Sequence, residues 1–346
     1  MVASSRAAAR DHPSESSQPV APAGAAEASG SADWSGVAER GSALGIRLML
    51  WWYRVFGRLL TLPVVFLVVT YFFLTDAAGR RASFAYLRRV HATEVGREAL
   101  GRAPGLRESY RHYRTFALAI VDRFSVWFDG PDRFEFDTRG AELIHRYAAE
   151  GRGVLILSAH LGNFDALRRL AERTGEVVNV LMYTDNAKRI NRLFSEVSSE
   201  VRDRLIIVDP TSVQSVFTIR ERLRRGEHVA ILADRNELGD RSRSVPVQLL
   251  GGEVRLPQAP AELAGLLGCP VVLLVALRDH SGRYRVFIES LAEGVKLPRR
   301  GREAVATELM TAFAQRIEHY CCSEPYQWFN FYDYWGDADR RERAST

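Results

Sequence analysis

The sequence predicts an α/β fold, a mostly parallel sheet flanked by helices, preceded by an N-terminal membrane-associated helical segment. Three observations predict it. Short apolar runs at 154–159, 177–183, 205–208, 229–233 and 271–277 lack the alternation of a sheet with one wet face, so they read as strands covered on both sides. Segments with helical spacing at 185–202, 212–225 and 257–267 separate them, and strand–helix–strand alternation makes neighbouring strands parallel. A charge-free apolar stretch at 59–75 precedes them all. A further strand at 283–289 and a helix at 302–320 complete the expected order. Ligands of such sheets bind beyond the carboxyl ends of the strands, where the loops converge. His160 and Asp234 each follow one of those ends.

With 346 residues, 47% of them hydrophobic, the chain can bury a sizeable core. Lys and Arg exceed Asp and Glu to give a net charge of +5, which favours anionic partners such as phospholipid headgroups or acidic carrier proteins. No zinc-finger spacing, recognition helix or RNA-binding aromatic motif accompanies that charge, so nucleic acid is not an expected partner. Cys269, Cys321 and Cys322 provide no disulfide framework, which points to a reducing compartment, and Cys269 reads as a small core residue of an apolar strand. The histidines outside the 160 region have no metal-ligand spacing, so neither a metal nor another cofactor is expected.

Residues 1–42, rich in Ala, Ser, Gly and Pro, read as a disordered tail without a signal-peptide pattern. Residues 43–78 form the membrane-associated segment. The run at 59–75 is at the short end of a spanning helix. Before it, Arg47, Arg54 and Arg58 recur at i, i+7 and i+11, opposite Leu48, Leu50, Trp51, Trp52 and Phe56, the pattern of a helix at a headgroup boundary. Arg80, Arg81, Arg88 and Arg89 follow, and by the positive-inside tendency they place the main domain, 79–336, in the cytoplasm. Residues 337–346 read as a polar tail.

The run Gly153-Val-Leu-Ile-Leu-Ser-Ala-His-Leu-Gly-Asn-Phe-Asp165 carries the chemistry. On a regular helix, residues five apart point about 140° away from each other, so His160 must stand in a turn to meet Asp165. Gly162 permits unusual backbone angles and Asn163 is a good helix cap. The expected arrangement has the Asp165 carboxylate on one imidazole nitrogen while the other faces substrate. Ser158 lacks a Gly-x-Ser-x-Gly elbow and reads as a strand-end hydroxyl.

His160-Leu-Gly-Asn-Phe-Asp165 resembles the His-x4-Asp/Glu signature of the lysophospholipid acyltransferase superfamily, and within it the bacterial lipid A late acyltransferases. Ile231-Leu-Ala-Asp-Arg235, Val245-Pro-Val-Gln-Leu-Leu-Gly-Gly252 and Pro325-Tyr-Gln-Trp-Phe-Asn-Phe-Tyr332 are similar, in the same order, to later blocks of that family. The resemblance implies transfer of a fatty acyl chain from acyl carrier protein or acyl-CoA to a hydroxyl of a lipid or glycolipid acceptor at the bacterial inner membrane. His160 would be the general base and Asp165 its orienting carboxylate. Gly162 and Asn163, whose turn offers backbone N–H groups, are candidate oxyanion or substrate contacts. Asp234 and Arg235 are candidate acceptor contacts, and Arg255 is a candidate for phosphate or carrier protein. The alternatives are a lipid or thioester hydrolase using the same His–Asp pair on water, and a non-catalytic lipid-binding protein.

Overall fold

A computed structural model describes residues 43–130, 133–164, 175–183, 205–208, 213–235, 243–296, 298 and 300–336. Among these the strands are β1 (Phe136–Arg139), β2 (Leu155–Ser158), β3 (Val178–Tyr183), β4 (Leu205–Val208), β5 (His228–Leu232), β6 (Ser244–Leu249), β7 (Gly252–Pro257), β8 (Val271–Arg278) and β9 (Tyr284–Ala292). Seven of them form one sheet in the order β1-β9-β8-β2-β5-β3-β4, and β6 pairs with β7 apart from it. Every neighbouring pair in the large sheet is parallel except β8 with β9, which are antiparallel. The expected mostly parallel sheet is therefore present. The helix expected at 185–202 lies outside the described residues. The reading of the sequence missed β1, whose four residues alternate between half-buried and exposed, and did not read the 245–252 block as half of a hairpin.

Alternate residues of the central strands enter different cores, which is why their sequences are apolar throughout. Leu155, Leu157, Val229, Ile231, Val271 and Leu273 face one core; Val154, Ile156, Ala230 and Val272 face the other. Among the described residues the helices are α1 (Ala43–Thr75), α2 (Ala77–Ala92), α3 (Glu94–Leu100), α4 (Leu106–Phe128), α5 (Ala141–Ala149), α6 (Val213–Arg224), α7 (Ala259–Leu267) and α8 (Arg302–Ser323). The first core takes residues from α2 and α8, the second from α5. Truncating a fully buried strand residue such as Leu157 to Ala costs about 2–5 kcal/mol by cavity formation.

α1 carries the one stretch among the described residues, Leu48–Thr75, that is long and apolar enough to cross a membrane. Leu59, Leu67 and Leu74 are exposed on it, while its other side packs through Tyr53, Val65 and Val69 against Tyr113, Val121 and Phe124 of α4. Gly57 breaks the helix with φ 65° and ψ −173°. That break falls between Arg54 and Arg58, so the unbroken helical periodicity expected to align them does not run through this segment. Arg58 turns inward to an ion pair with Asp122 of α4, whose side chain is fully buried, and Arg54 stacks over Phe128. Arg89 likewise stacks on Trp335 at 4.8 Å.

Candidate active site

The turn after β2 is fastened on both sides. Leu161 bridges Trp328 and Gly162 bridges Ala276. Gly162 donates its N–H to Gln327 O (2.8 Å), Asn163 donates its N–H to Ala276 O (3.0 Å), and Phe329 donates to His160 O (2.9 Å). Gly162 has φ 72°, and a Cβ there would stand 1.9 Å from Ala276 O, so the close approach to β8 requires glycine. The amides at 162 and 163, expected to be available to an oxyanion, are thus committed to the backbone. Asn163 is buried, and its side-chain amide donates to Tyr284 Oη (3.1 Å).

Parallel pairing of β2 with β5 places Ser158 opposite Leu232, and two residues farther along the same register come His160 and Asp234. Their contact is double. His160 Nδ1 lies 2.9 Å from Asp234 Oδ1, and the His160 backbone N–H donates to Asp234 Oδ2 at 3.0 Å. Trp328 Nε1–H donates to the same Oδ2 (3.0 Å), and the Tyr334 hydroxyl donates to the Asp234 carbonyl. Asp234, expected among the acceptor contacts, instead has its carboxylate turned onto the imidazole. Asp165 lies outside the described residues.

Burial would push the Asp234 carboxyl up, but His160, Arg235 and the Trp328 donor together hold it below the usual carboxylate range. Burial and then the Arg235 charge push the His160 imidazole below its ordinary value of 6.5, against the opposing pull of Asp234. The resulting state at neutral pH is a neutral imidazole beside an ionised Asp234. A carboxylate can only accept, so the ring proton resides on Nδ1 and Nε2 keeps its lone pair. Among the described residues Nε2 has no hydrogen-bond partner, and 28% of the His160 side chain reaches the surface. This arrangement can accept a proton from a bound hydroxyl or water.

The remaining expectations divide. Ser158 Oγ donates to Leu274 O (2.7 Å) and is buried, the strand-end hydroxyl the sequence suggests. Arg235 does stand at the site, where it donates from Nη2 to Phe329 O (2.7 Å) and lies over the Tyr332 ring. Its guanidinium therefore braces the closing aromatic block and supplies charge to His160. Arg255 does not join them: it donates to Ser244 Oγ (2.9 Å) and Ser244 O (2.8 Å) across the β6–β7 hairpin. Trp328, whose Nε1–H reaches the Asp234 carboxylate, was missed as a site residue. Its signal in the sequence was its place in the closing block that resembles the family. A cleft of about 590 Å³ borders the turn at Gly162, Asn163 and Phe329.

The profile of the bacterial lipid A biosynthesis acyltransferase family matches residues 109–336, a span that contains His160, Asp234, Arg235 and Trp328. A search of the curated proteins returns no match.

Proposed function

Since the chain belongs to the bacterial lipid A biosynthesis acyltransferase family, we propose that it moves a fatty acyl chain from the thioester of acyl carrier protein or coenzyme A to a hydroxyl of a lipid acceptor, with His160 as general base. The single observation that carries the mechanism is the Asp234 carboxylate on Nδ1 of a part-exposed His160. His160 Nε2 takes the acceptor hydroxyl proton as that oxygen attacks the thioester carbonyl, forming the C–O bond and moving an electron pair onto the carbonyl oxygen. Collapse of the tetrahedral species breaks the C–S bond, and the imidazolium returns the proton to the leaving thiolate. Asp234 keeps the ring in the Nδ1–H tautomer and stabilises the transient imidazolium. The resemblance of the His-x4-Asp motif assigns a second carboxylate, Asp165, to the same histidine.

The same reading seats the chain in the bacterial inner membrane. Residues 43–78 form the membrane segment, 79–336 the acyltransferase domain on the cytoplasmic side, and 1–42 and 337–346 the tails. The apolar run Leu48–Thr75 and the arginines that follow it support that placement. Mass spectrometry of total lipids from cells with and without the gene tests the function. The account expects one lipid species to lose the mass of one acyl chain on deletion and to regain it with the wild-type gene but not with His160→Ala. An unchanged lipid profile would count against it.

A further inference from the structure

Asp122 of α4 is fully buried, and side chains from three other elements converge on it. Arg58 of α1 pairs with its Oδ1. Arg278 of β8 stands 2.8 Å from Oδ2, and the Tyr284 hydroxyl of β9 donates to that same oxygen at 2.7 Å. Two arms lead from this carboxylate to the turn that carries His160. In one, Tyr284 Oη accepts from the Asn163 side-chain amide (3.1 Å). In the other, the Gln327 side chain clamps the backbone of Arg278, accepting from its N–H and donating to its carbonyl, both at 2.8 Å. The Gln327 carbonyl in turn accepts from the Gly162 N–H (2.8 Å). Tyr284, Asn163 and Gln327 are buried, so these bonds lie in a low-dielectric interior, where each is stronger than at the surface.

We infer that Asp122 is a positioning residue for the acyl transfer, coupling the apolar helix α1 to the His160 turn. Taking a carboxylate and its arginines out of water is costly, and such a cluster adds little net stability over apolar packing of the same volume. What it supplies is geometry. One carboxylate fixes α1, α4, β8 and β9 in a single arrangement, and both arms pass that arrangement to Gly162 and Asn163, two and three residues after His160. A reacting group displaced by about 1 Å loses on the order of 100-fold in rate. Arg58 and Tyr284 sit on opposite oxygens of the same carboxylate, so a change at one reaches the other through Asp122. The inference rests on the proposed acyl transfer and adds residues that set its rate without touching the reacting atoms. It also makes α1 part of the machinery that aligns His160, beyond any role as an anchor.

Asp122→Asn would leave two guanidiniums around a neutral amide and endanger folding, so its neighbours are changed instead in the full chain in maltoside micelles. The acyl thioester donor and the lipid acceptor named by the deletion experiment supply kcat and KM. Tyr284→Phe, which removes one oxygen atom, and Arg58→Gln should each lower kcat about tenfold with KM for both substrates unchanged, and Arg58→Lys should recover most of the loss. The double variant should fall well short of the roughly 100-fold product of the single losses, because both act through one carboxylate. Hydrogen exchange, read without turnover, should quicken about tenfold in the peptide holding Gly162 and Asn163 and stay at the wild-type rate in β2. Wild-type kcat in Tyr284→Phe, a loss carried by KM, a full product in the double variant, or exchange that is unchanged at the turn or equally faster in β2 would each overturn the inference. If Arg58→Gln does not fold, Tyr284→Phe decides alone by kcat and exchange. Transfer that is lost in His160→Ala but unaffected in Tyr284→Phe would sink this inference alone. A wild-type chain that transfers no acyl group would sink the proposed function, and the exchange at the turn would still read the coupling.

Discussion

Asp234 holds His160 at two points, one carboxylate oxygen on the ring Nδ1 and the other on the backbone N–H of the same residue. Ring tautomer and ring position thus depend on one side chain, itself fixed by Trp328 Nε1. Asp234→Asn keeps the volume but loses the charge, and its amide can present a donor to Nδ1, stabilising the wrong tautomer. The expected loss in kcat is roughly 100- to 10,000-fold with little change in the binding of donor. Trp328→Phe, which removes one charge-assisted hydrogen bond, should cost about tenfold or somewhat more. Steady-state kinetics of both variants measure this, and near wild-type turnover of Asp234→Asn would contradict it.

Gly162 tests the turn itself. An alanine there must adopt φ near 72° and place its Cβ against Ala276 O. Left-handed backbone costs about 1–2 kcal/mol for a residue with a side chain, before the clash is counted. Gly162→Ala should lower Tm by several degrees, roughly 2–4 °C for each kcal/mol in a domain of this size, and should reduce activity further by shifting His160. A melting curve and an activity equal to wild type would show that the turn tolerates a side chain.

Acid should destabilise the fold before it reaches the carboxylates. Burial pushes the His112 imidazole down from 6.5 to about 4, while its Nε2–H donates to Trp328 O (2.8 Å) and its Nδ1 accepts from Ser83 Oγ (3.1 Å). Between those two pH values the unfolded chain binds a proton that the native chain refuses, so stability falls as pH drops from about 6.5 towards 4. At the lower limit His112 alone accounts for a loss of about 3 kcal/mol. His160 and His228 are shifted downwards as well and add in the same direction. Denaturation curves across this range should show the decline in wild type and a shallower one in His112→Gln; equal slopes would exclude His112 as a source.

Attachment to the membrane should be hydrophobic rather than electrostatic. Leu59, Leu67 and Leu74 are exposed on α1, whereas Arg58 is spent on Asp122. The full chain should pellet with membranes and resist high salt, which screens charges but does not remove apolar contact. Recovery of the chain in the supernatant without detergent would rule out that mode of attachment.

The sequence made the strands legible because burial on both faces forces continuous apolar runs, and β4 at Leu205–Val208 coincides with the run read there. It made His160 legible through a local motif. The Asp234–His160 contact was not legible, because it joins residues 74 apart and depends on the register of β2 against β5. The sequence placed both residues at strand ends without showing that those strands are neighbours. Arg58 was misread for a related reason. Helical periodicity assumes an unbroken helix, and a single glycine at 57 rotated the arginine from the surface to a buried acid. Arg255 was read as a candidate from its charge in a glycine-bearing segment, and its hydrogen bonds within the hairpin arise only once β6 and β7 pair.

The most direct measurement is the pH dependence of kcat/KM for acyl transfer by the full chain, wild type beside His160→Ala, using an acyl thioester donor and the lipid acceptor named by the deletion experiment. With the His160 imidazole held below 6.5 by burial and Arg235, wild type should show an acid limb below that value and a plateau through neutrality. His160→Ala should lose roughly 100-fold or more at the plateau, along with the limb itself, while its melting curve stays near that of wild type. A well-folded His160→Ala protein that retains most of the activity and the same acid limb would contradict the account.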